Sequence, residues 1–324
     1  MRKAVAALEE EGYLQRIQGS GTYVTEGFHR PPLQPQGAGL SNTIGLIIGD
    51  SQTYLSPDII RGASDYLIEQ GYLLSVAMTS GSYDSEKKAM EILLKNRPAG
   101  VLLEPVNSGL FSVNYDLYQR MSEEIPCLLL HSGNIGTCRA LSLHDRMGAQ
   151  LLTEHLLELG HTKIGVIFCI EEYTGQKRYC GLLSALRGHG LTHSQDYCIW
   201  TQRSRIDDLF APGGSLELDR MLETVTAVFC HDDRIAYALI RYLENKGIRV
   251  PDDISVVGYD DSIYAQLSLP ITTVSHPKAE YGLHAAQALL DLIHSPGTAN
   301  LSKYEALPEL IVRNSTAAPP ESSH

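Results

Sequence analysis

The chain has 324 residues, of which 43% are hydrophobic and 20% are charged, and its formal charge is −12. This composition excludes a disordered chain, because it supplies enough aliphatic side chains for a buried core. No apolar run approaches the ~18–20 residues that span a bilayer, and no signal-peptide core follows Met1, so a cytoplasmic protein is expected. The acidic balance argues against extensive wrapping of nucleic acid, although it leaves room for a small basic module.

Composition divides the chain into four parts. Residues 1–28 form a small unit, and residues 29–42 are expected to be a linker, because their Pro and Gly residues disfavour both helix and strand. Residues 43–315 show a regular alternation of apolar runs and amphipathic stretches. Residues 316–324, rich in Ser, Pro and Ala, are expected to be a disordered tail.

Six short apolar runs predict β-strands in the long third part. Each run is continuous rather than alternating, which is typical of parallel strands buried on both faces. The runs are Ile44–Ile48, Val101–Leu103, Cys127–Leu130, Ile164–Phe168, Ala227–Cys230 and Ile254–Val257.

Apolar residues recur at helical spacing between these runs. Residues 281–293 carry an apolar stripe at i, i+3, i+4, i+7 spacing, and residues 151–159 repeat it before Gly160, a typical helix terminator. Strands that alternate with helices predict an α/β fold with doubly wound parallel sheets. Because ~270 residues exceed one typical core, two similar lobes are expected. These lobes are residues 43–159 with 278–301, and residues 160–277 with 302–315.

Polar side chains follow several predicted strands, at the edge where open parallel sheets bind ligands. Carboxylates accept hydrogen bonds from vicinal hydroxyls, and aromatic faces stack on sugar rings, so the set suits a polyhydroxyl ligand. An alternative stays open for Asp232 and Asp260, which could simply cap the segments that follow them. The candidates at these strand ends are Asp50, Ser51, Tyr54, Glu104, His131, Ser132, Asp232 and Asp260.

Five motifs in residues 43–315 resemble the ligand-binding core of the lactose/galactose repressor family, which has a two-lobed periplasmic-binding-protein-like fold. The resemblance implies that Arg178 and Asp260 hold ligand hydroxyls. At Asp232 the family usually has Asn, and an ionised Asp cannot donate a hydrogen bond, so a different hydroxyl pattern is expected. The motifs are Glu154–His161, Lys177–Leu182, Ala227–Ala236, and Val250–Asp261 followed by Thr272–Pro277.

Residues 2–24 resemble the end of a gluconate-repressor-type winged helix. Arg2–Glu11 would form part of the recognition helix, and Leu14–Ile17 and Thr22–Val24 would be wing strands. The family's other helices would precede Met1, so only weak, salt-sensitive DNA contact is expected from this remnant. The contacting residues implied are Arg2, Lys3, Arg16, Gly19, Ser20 and Gly21.

A winged helix joined to such a core resembles the arabinose-repressor-like transcription regulators. This resemblance implies that Tyr54, Glu104, His131 and His276 line a pocket for a pentose or related sugar, and that the protein is a homodimer that binds operator DNA. Where that subgroup has Lys, this chain has Asn107.

An enzyme is the main alternative class. The sequence lacks a nucleophile elbow, a Walker loop, an H-E-x-x-H motif and a dinucleotide-binding fingerprint, so no enzymatic activity and no cofactor are expected. His231, Asp232 and Asp233 could hold a cation beside Asp260, but a sugar site explains the same residues and no metal is predicted. A stand-alone sugar-binding sensor stays open as a third class, and the winged-helix segment favours the regulator over it.

The six cysteines show no C-x-x-C spacing, and several end apolar runs. They are therefore expected to be free thiols, which argues against a zinc knuckle and a disulfide framework. They are Cys127, Cys138, Cys169, Cys180, Cys198 and Cys230.

Overall fold

The computed structural model divides into two compact units, residues 1–40 and 41–324. In the first unit, β1 (Leu14–Ile17) and β2 (Gly21–Val24) pair as antiparallel strands, with Leu14 opposite Val24. These are the strands predicted for the wing. The structure describes residues 14–17, 21–24, 41–49, 56–211, 213, 215–275, 277–295 and 307–320.

Two of the predicted DNA contacts, Arg16 and Gly21, lie on β1 and β2. The other four lie outside the described residues. They are Arg2, Lys3, Gly19 and Ser20.

The second unit alternates strands and helices almost throughout. Its elements in chain order are β3 (Thr43–Ile48), α1 (Ser56–Glu69), β4 (Leu73–Met78), α2 (Tyr83–Asn96), β5 (Gly100–Leu103), α3 (Tyr115–Glu124), β6 (Cys127–Leu130), β7 (Arg139–Leu141), α4 (Asp145–Glu158), β8 (Ile164–Cys169), α5 (Tyr173–Gly188), β9 (Cys198–Thr201), α6 (Ile206–Leu209), α7 (Leu216–Leu222), β10 (Ala227–Cys230), α8 (Asp233–Asn245), β11 (Ser255–Val257), β12 (Thr273–Val274), α9 (Lys278–His294) and β13 (Leu310–Ile311).

A five-stranded parallel sheet in the order β4-β3-β5-β6-β7 forms the first lobe. Helices α1 and α9 cover one face, where Leu67 and Leu289 pack with Leu46. Helices α2 and α3 cover the other face, where Met90 and Met121 are fully buried. Burial on both faces explains why the central strands are continuous apolar runs.

A four-stranded parallel sheet in the order β11-β10-β8-β9 forms the second lobe. Helices α4 and α5 cover one face, and α7 and α8 cover the other. The chain crosses between the lobes after β7, again before α9, and a third time between α9 and β13, which pairs with β12. The predicted α/β fold with two lobes of parallel sheet is therefore confirmed.

The predicted lobe boundary is wrong for α4, which was expected in the first lobe. Leu152 and Leu156 of this helix pack against Phe168 in the second sheet. The helix also lies so close to α5 that a Cβ atom on Gly181 would be 2.2 Å from the carbonyl oxygen of Arg146. An apolar stripe identifies a buried helix face but not the sheet that the face will cover.

The prediction of a disordered tail from residue 316 is wrong for the segment that the structure describes. Ser315 donates from Oγ to the carbonyl oxygen of Val256 at 2.5 Å, and Val256 donates its N–H to Ser315 at 2.8 Å. Ala317 continues the contact, because its N–H donates to Oγ of Ser255 at 3.0 Å. This segment follows the outer edge of β11 and satisfies its exposed backbone groups, which outweighs the loop-like composition.

Among the residues that the structure describes, no helix has both the length and the apolar character needed to cross a membrane.

Candidate functional site

A cavity of about 210 Å³ lies between the two lobes, at the carboxyl ends of both parallel sheets. Open α/β sheets bind ligands in this crevice. The volume is below the ~300–1,000 Å³ of sites for drug-sized molecules, so it suits a smaller ligand. Its charged and polar lining includes Glu104, His131, Glu171, Glu172, Arg178, Arg203, His231, Asp232 and Asp260.

Arg178, on the second turn of α5, is the buried cation of this cavity. Its Nε donates to Oδ1 of Asp145 at 2.9 Å, its Nη2 donates to Oδ1 of Asp260 at 3.0 Å, and its Nη1 donates to the carbonyl oxygen of His231. Its guanidinium carbon lies 3.7 Å from the centre of the Tyr259 ring. Burial alone would lower the pKa of Arg178, but Asp260 and Asp145 raise it, so the guanidinium stays charged.

Asp260 follows β11 with a φ of 96°, a left-handed conformation that is unusual for a residue with a side chain. Its backbone N–H donates to Val274 at 2.9 Å, which fixes the turn that presents the carboxylate to Arg178. The short 3₁₀ turn that follows begins after Ser262, so Asp260 does not cap it. The helix-cap alternative is therefore wrong for Asp260.

The helix-cap alternative is confirmed for Asp232. Its Oδ1 accepts the N–H of Ile235 at 2.8 Å at the start of α8, and its Oδ2 accepts from Arg203. Burial alone would raise the pKa of Asp232, but Arg203 and His231 hold it below its usual range. An ionised Asp fits here because both of its oxygens receive hydrogen bonds from the protein.

Arg203 and Glu172 form a bidentate pair in the same wall. Nε and Nη2 of Arg203 donate to the two oxygens of Glu172 at 2.8 and 3.0 Å. The backbone N–H of Cys169 donates to Nδ1 of His231, so the ring proton lies on Nε2, which donates to Glu172 at 2.8 Å. Burial alone would raise the pKa of Glu172, but Arg203 and His231 hold it well below its usual range.

Glu104 and His131 come from the first lobe. Glu104 accepts the N–H of Gly49 at 3.1 Å through one oxygen and lies 3.2 Å from Nδ1 of His131 through the other. The His131 ring stacks on the ring of Tyr281 in α9. The Tyr281 hydroxyl also accepts a hydrogen bond from the backbone N–H of His131 at 3.0 Å. Burial opposes the charged form of His131, but the hydrogen bond and charge of Glu104 raise its pKa.

The loop after β5 contacts the start of α5 directly and so joins the two lobes beside the cavity. Gly109 donates its N–H to the carbonyl oxygen of Glu171 at 2.8 Å. Gln176 donates from its side chain to the Gly109 carbonyl at 2.8 Å, and Tyr173 donates its N–H to Oγ of Ser108 at 3.1 Å. These contacts hold the cavity partly closed.

The ligand atoms of Cys169, Glu172 and His231 lie within 4.8 Å of one another, which is close enough to surround a cation. Glu172, however, is already saturated by Arg203 and His231. Burial also raises the pKa of the Cys169 thiol, so this group keeps its proton. The cluster is therefore satisfied as an ion-pair network, and the geometry gives no reason to place a metal there.

The structure brings together five of the seven sugar-binding residues that the sequence predicted. Tyr54 and His276 lie outside the described residues. The five in the cavity wall are Glu104, His131, Arg178, Asp232 and Asp260.

Four site residues were missed by sequence reasoning, and two of them had a clear signal. Glu171 and Glu172 follow the predicted strand at Ile164–Phe168, which is the same strand-end signal that identifies Glu104 and Asp260. Arg203 follows β9, which was not predicted, and Asp145 begins a helix that was assigned to the other lobe.

Comparison with known proteins agrees with this geometry. The family profile described as "Periplasmic binding protein-like domain" matches residues 153–316. The arabinose metabolism transcriptional repressor of Geobacillus stearothermophilus is 33% identical over an alignment of 327 residues, covering 98% of this chain and 86% of the relative.

Two solved structures share the fold of the core. The complex of the transcriptional regulator CelR with cellobiose superposes with a TM-score of 0.74 at 23% identity, covering 85% of both chains. A LacI family transcriptional regulator from Enterococcus faecium with bound ribose gives a TM-score of 0.68 at 24% identity, covering 85% of this chain and 99% of that one.

These relatives are transcriptional regulators and not enzymes, which confirms the prediction that this chain is not an enzyme. The match at 33% identity also spans nearly the whole chain, well beyond the domain profile. The chain belongs to the family of transcriptional repressors with a periplasmic-binding-protein-like core.

Proposed function

We propose that the cavity between the lobes binds an arabinose-like pentose or a related small sugar, and that this ligand controls DNA binding by the repressor. One observation carries the proposal: the buried Arg178 guanidinium and the Asp260 carboxylate line one cavity with Glu104 from the other lobe. Donors and acceptors side by side are what vicinal hydroxyls require.

Arg178 is suited to act as the donor. Its contacts with described residues use three of its five N–H groups, which leaves two for ligand oxygens. The carboxylates of Asp260 and Glu104 are suited to accept hydrogen bonds from ligand hydroxyls. His131 adds a polar edge beside Glu104, and Asp232 orients Arg203 in the wall.

Tyr54 and His276 complete the proposed pocket through the family resemblance. Asn107, whose side chain donates to the Tyr83 hydroxyl at 3.1 Å, lines the cavity where related regulators have Lys. The proposal therefore includes pentoses related to arabinose as well as arabinose itself.

A ligand held between lobes acts by shifting the population of closed cores, because it contacts both lobes only when they are closed. In a homodimer this movement would reposition two DNA-binding units over operator DNA in the cytoplasm. The edge of the first lobe supports such a dimer, because Ile68, Leu73 and Val76 at or beside the edge strand β4 are 59%, 67% and 40% exposed.

A thermal-shift series with L-arabinose, D-ribose, D-xylose and D-galactose tests the proposal. A ligand that binds only the folded state adds about 2.7 kcal/mol of stability at a hundredfold excess over Kd. For a chain of this size that is roughly 5 °C in Tm. Glu104→Ala should abolish the response, and Glu123→Ala, an exposed acid of the same lobe, should leave it intact. If no sugar in the series changes the Tm, the proposal fails.

A further inference from the structure

Glu171 lines the cavity with a carboxylate oxygen that is not satisfied by the protein. The residue follows β8, and only 6% of its surface is exposed. Its Oε1 accepts the backbone N–H of Arg203 at 2.6 Å, whereas its Oε2 is buried and has no hydrogen-bond partner among the described residues. A buried polar atom in this state destabilises the protein, and more so when it is charged.

The observed hydrogen bonds of two neighbouring guanidinium groups, Arg203 and Arg178, go to acceptors other than Glu171 Oε2. The guanidinium of Arg203 is taken by both oxygens of Glu172 and by Asp232. The guanidinium of Arg178 holds its own two carboxylates and a backbone carbonyl. None of the described residues donates to Oε2 of Glu171, and the cavity beside this oxygen is where a ligand donor can bind.

The charge of the lining restricts which donor can enter. Among the described lining residues, five carboxylates stand against three guanidinium groups, so these eight groups contribute a net charge of −2. A phosphate or carboxylate group would be repelled by this negative charge at short range, and it would donate no hydrogen bond to Glu171. The groups counted are Glu104, Glu171, Glu172, Asp232 and Asp260, against Arg178, Arg203 and Arg234.

Glu171 also lies where the two lobes meet, because its carbonyl oxygen accepts the N–H of Gly109 from the first lobe. We infer that Oε2 of Glu171 accepts a hydrogen bond from a ligand hydroxyl, and that the site selects neutral sugars over sugar phosphates and sugar acids. This inference rests on the proposed sugar site and adds a specificity-determining residue to it. A ligand hydroxyl at this point would bind to the same residue that holds the inter-lobe contact.

The experiment compares wild type with Glu171→Gln, which keeps the shape of the side chain and removes its charge. The control is Glu223→Gln, an exposed acid of the same lobe. Each protein is screened by thermal shift against L-arabinose, D-ribose, D-xylose and D-galactose, against D-ribose 5-phosphate and D-galactose 6-phosphate, and against L-arabinonate and D-galactonate. Calorimetry then gives Kd for each sugar that binds.

We expect a neutral sugar to bind and the phosphates and acids to give no shift. Glu171→Gln should weaken the neutral sugar at least tenfold, because a hydrogen bond to a charged group contributes about 1.5–3 kcal/mol. Without ligand this variant should melt no lower than wild type, since it removes a buried charge that lacks a partner. Glu223→Gln should match wild type in both measurements.

Three results would overturn the inference while leaving the proposed sugar site in place. They are an unchanged Kd in Glu171→Gln, tighter binding of a phosphate or acid than of its neutral sugar, and a ligand-free Glu171→Gln that melts well below wild type. Absence of binding by every compound is a different result, and it would overturn the proposed function and this inference together.

Discussion

Arg178 is part of the protein's own ion-pair network before any ligand arrives. Its two carboxylate partners, Asp145 and Asp260, have side chains that are 1% and 3% exposed. Charges buried to this extent are tolerated only while they are paired, because their loss of hydration is not otherwise compensated. The residue that is proposed to bind the sugar therefore also stabilises the cavity wall.

Replacing Arg178 should lower stability as well as ligand binding. Arg178→Met leaves two buried carboxylates without their cation, and we expect it to lower the free energy of unfolding by about 3–5 kcal/mol. Arg249→Met removes a solvent-screened surface pair with Asp253 and should leave the free energy of unfolding nearly unchanged. Urea denaturation without ligand measures both changes. Similar small losses in the two variants would contradict a structural role for Arg178.

The raised pKa of the buried Asp233 carboxyl group predicts that the stability of the protein depends on pH. Burial, together with the nearby charge of Asp260, raises the pKa of Asp233 to about 8. The hydrogen bonds that its carboxylate accepts from the Ser262 N–H and the Thr273 hydroxyl, each at 2.7 Å, oppose this rise in pKa but do not cancel it. The folded state therefore holds this proton at pH values where the unfolded chain, with a pKa of about 3.9, has released it.

Because the folded state binds more protons, the contribution of Asp233 is largest below pH 4 and is lost as the pH rises towards 8. Relative to Asp233→Asn, wild type should lose at least about 1.4 kcal/mol between pH 5 and pH 8, the equivalent of one pKa unit. Urea denaturation at a series of pH values measures this difference. Parallel pH curves for the two proteins would contradict the raised pKa.

At the scale of elements, sequence patterns identified the buried strands, including the edge strand β11, and missed the edge strands β4, β7 and β9. All six predicted runs are strands in the structure. Strand β4 was missed because it lies at an edge and exposes Leu73 and Met78. Strands β7 and β9 are also edge strands, with three and four residues.

The missed elements explain the missed site residues. Arg203 could not be placed without β9, since its role depends on following that strand. Glu104, Arg178 and Asp260 were identified because they follow well-marked strands or match family motifs. Pairings such as Arg203 with Glu172 depend on which helices and strands share a sheet, and periodicity does not contain that information.

The contact between α4 and α5 predicts opposite effects for two glycines of one helix. A Cβ atom on Gly181 would overlap the carbonyl oxygen of Arg146, whereas one on Gly188 would meet nothing within 4 Å. Gly181→Ala should therefore destabilise the protein by about 1–3 kcal/mol, and Gly188→Ala should stabilise it by up to about 1 kcal/mol. Chemical denaturation distinguishes them. Equal effects at both positions would contradict the close packing.

At the scale of the whole molecule, the proposed dimer predicts the mass at which the protein sediments. The chain should sediment as a dimer without ligand, because its exposed apolar edge matches the surface of a two-fold interface. Val76→Lys should raise the dimer dissociation constant at least tenfold. Leu216→Lys, which alters a 65% exposed residue of the other lobe, should leave it unchanged. Analytical ultracentrifugation measures both. A wild-type monomer at micromolar concentration would favour a stand-alone sugar sensor.

The segment that follows the edge of β11 has a consequence for folding during synthesis. Val256 and Ser315 are 59 positions apart. At about 5–20 residues per second, a ribosome needs roughly 3–12 s to add that length of chain. Throughout this interval the backbone groups of Val256 that Ser315 later binds are open at the edge of β11, and they can pair with other chains. Slow translation after residue 257 would lengthen this exposure and should increase aggregation of newly made protein in proportion.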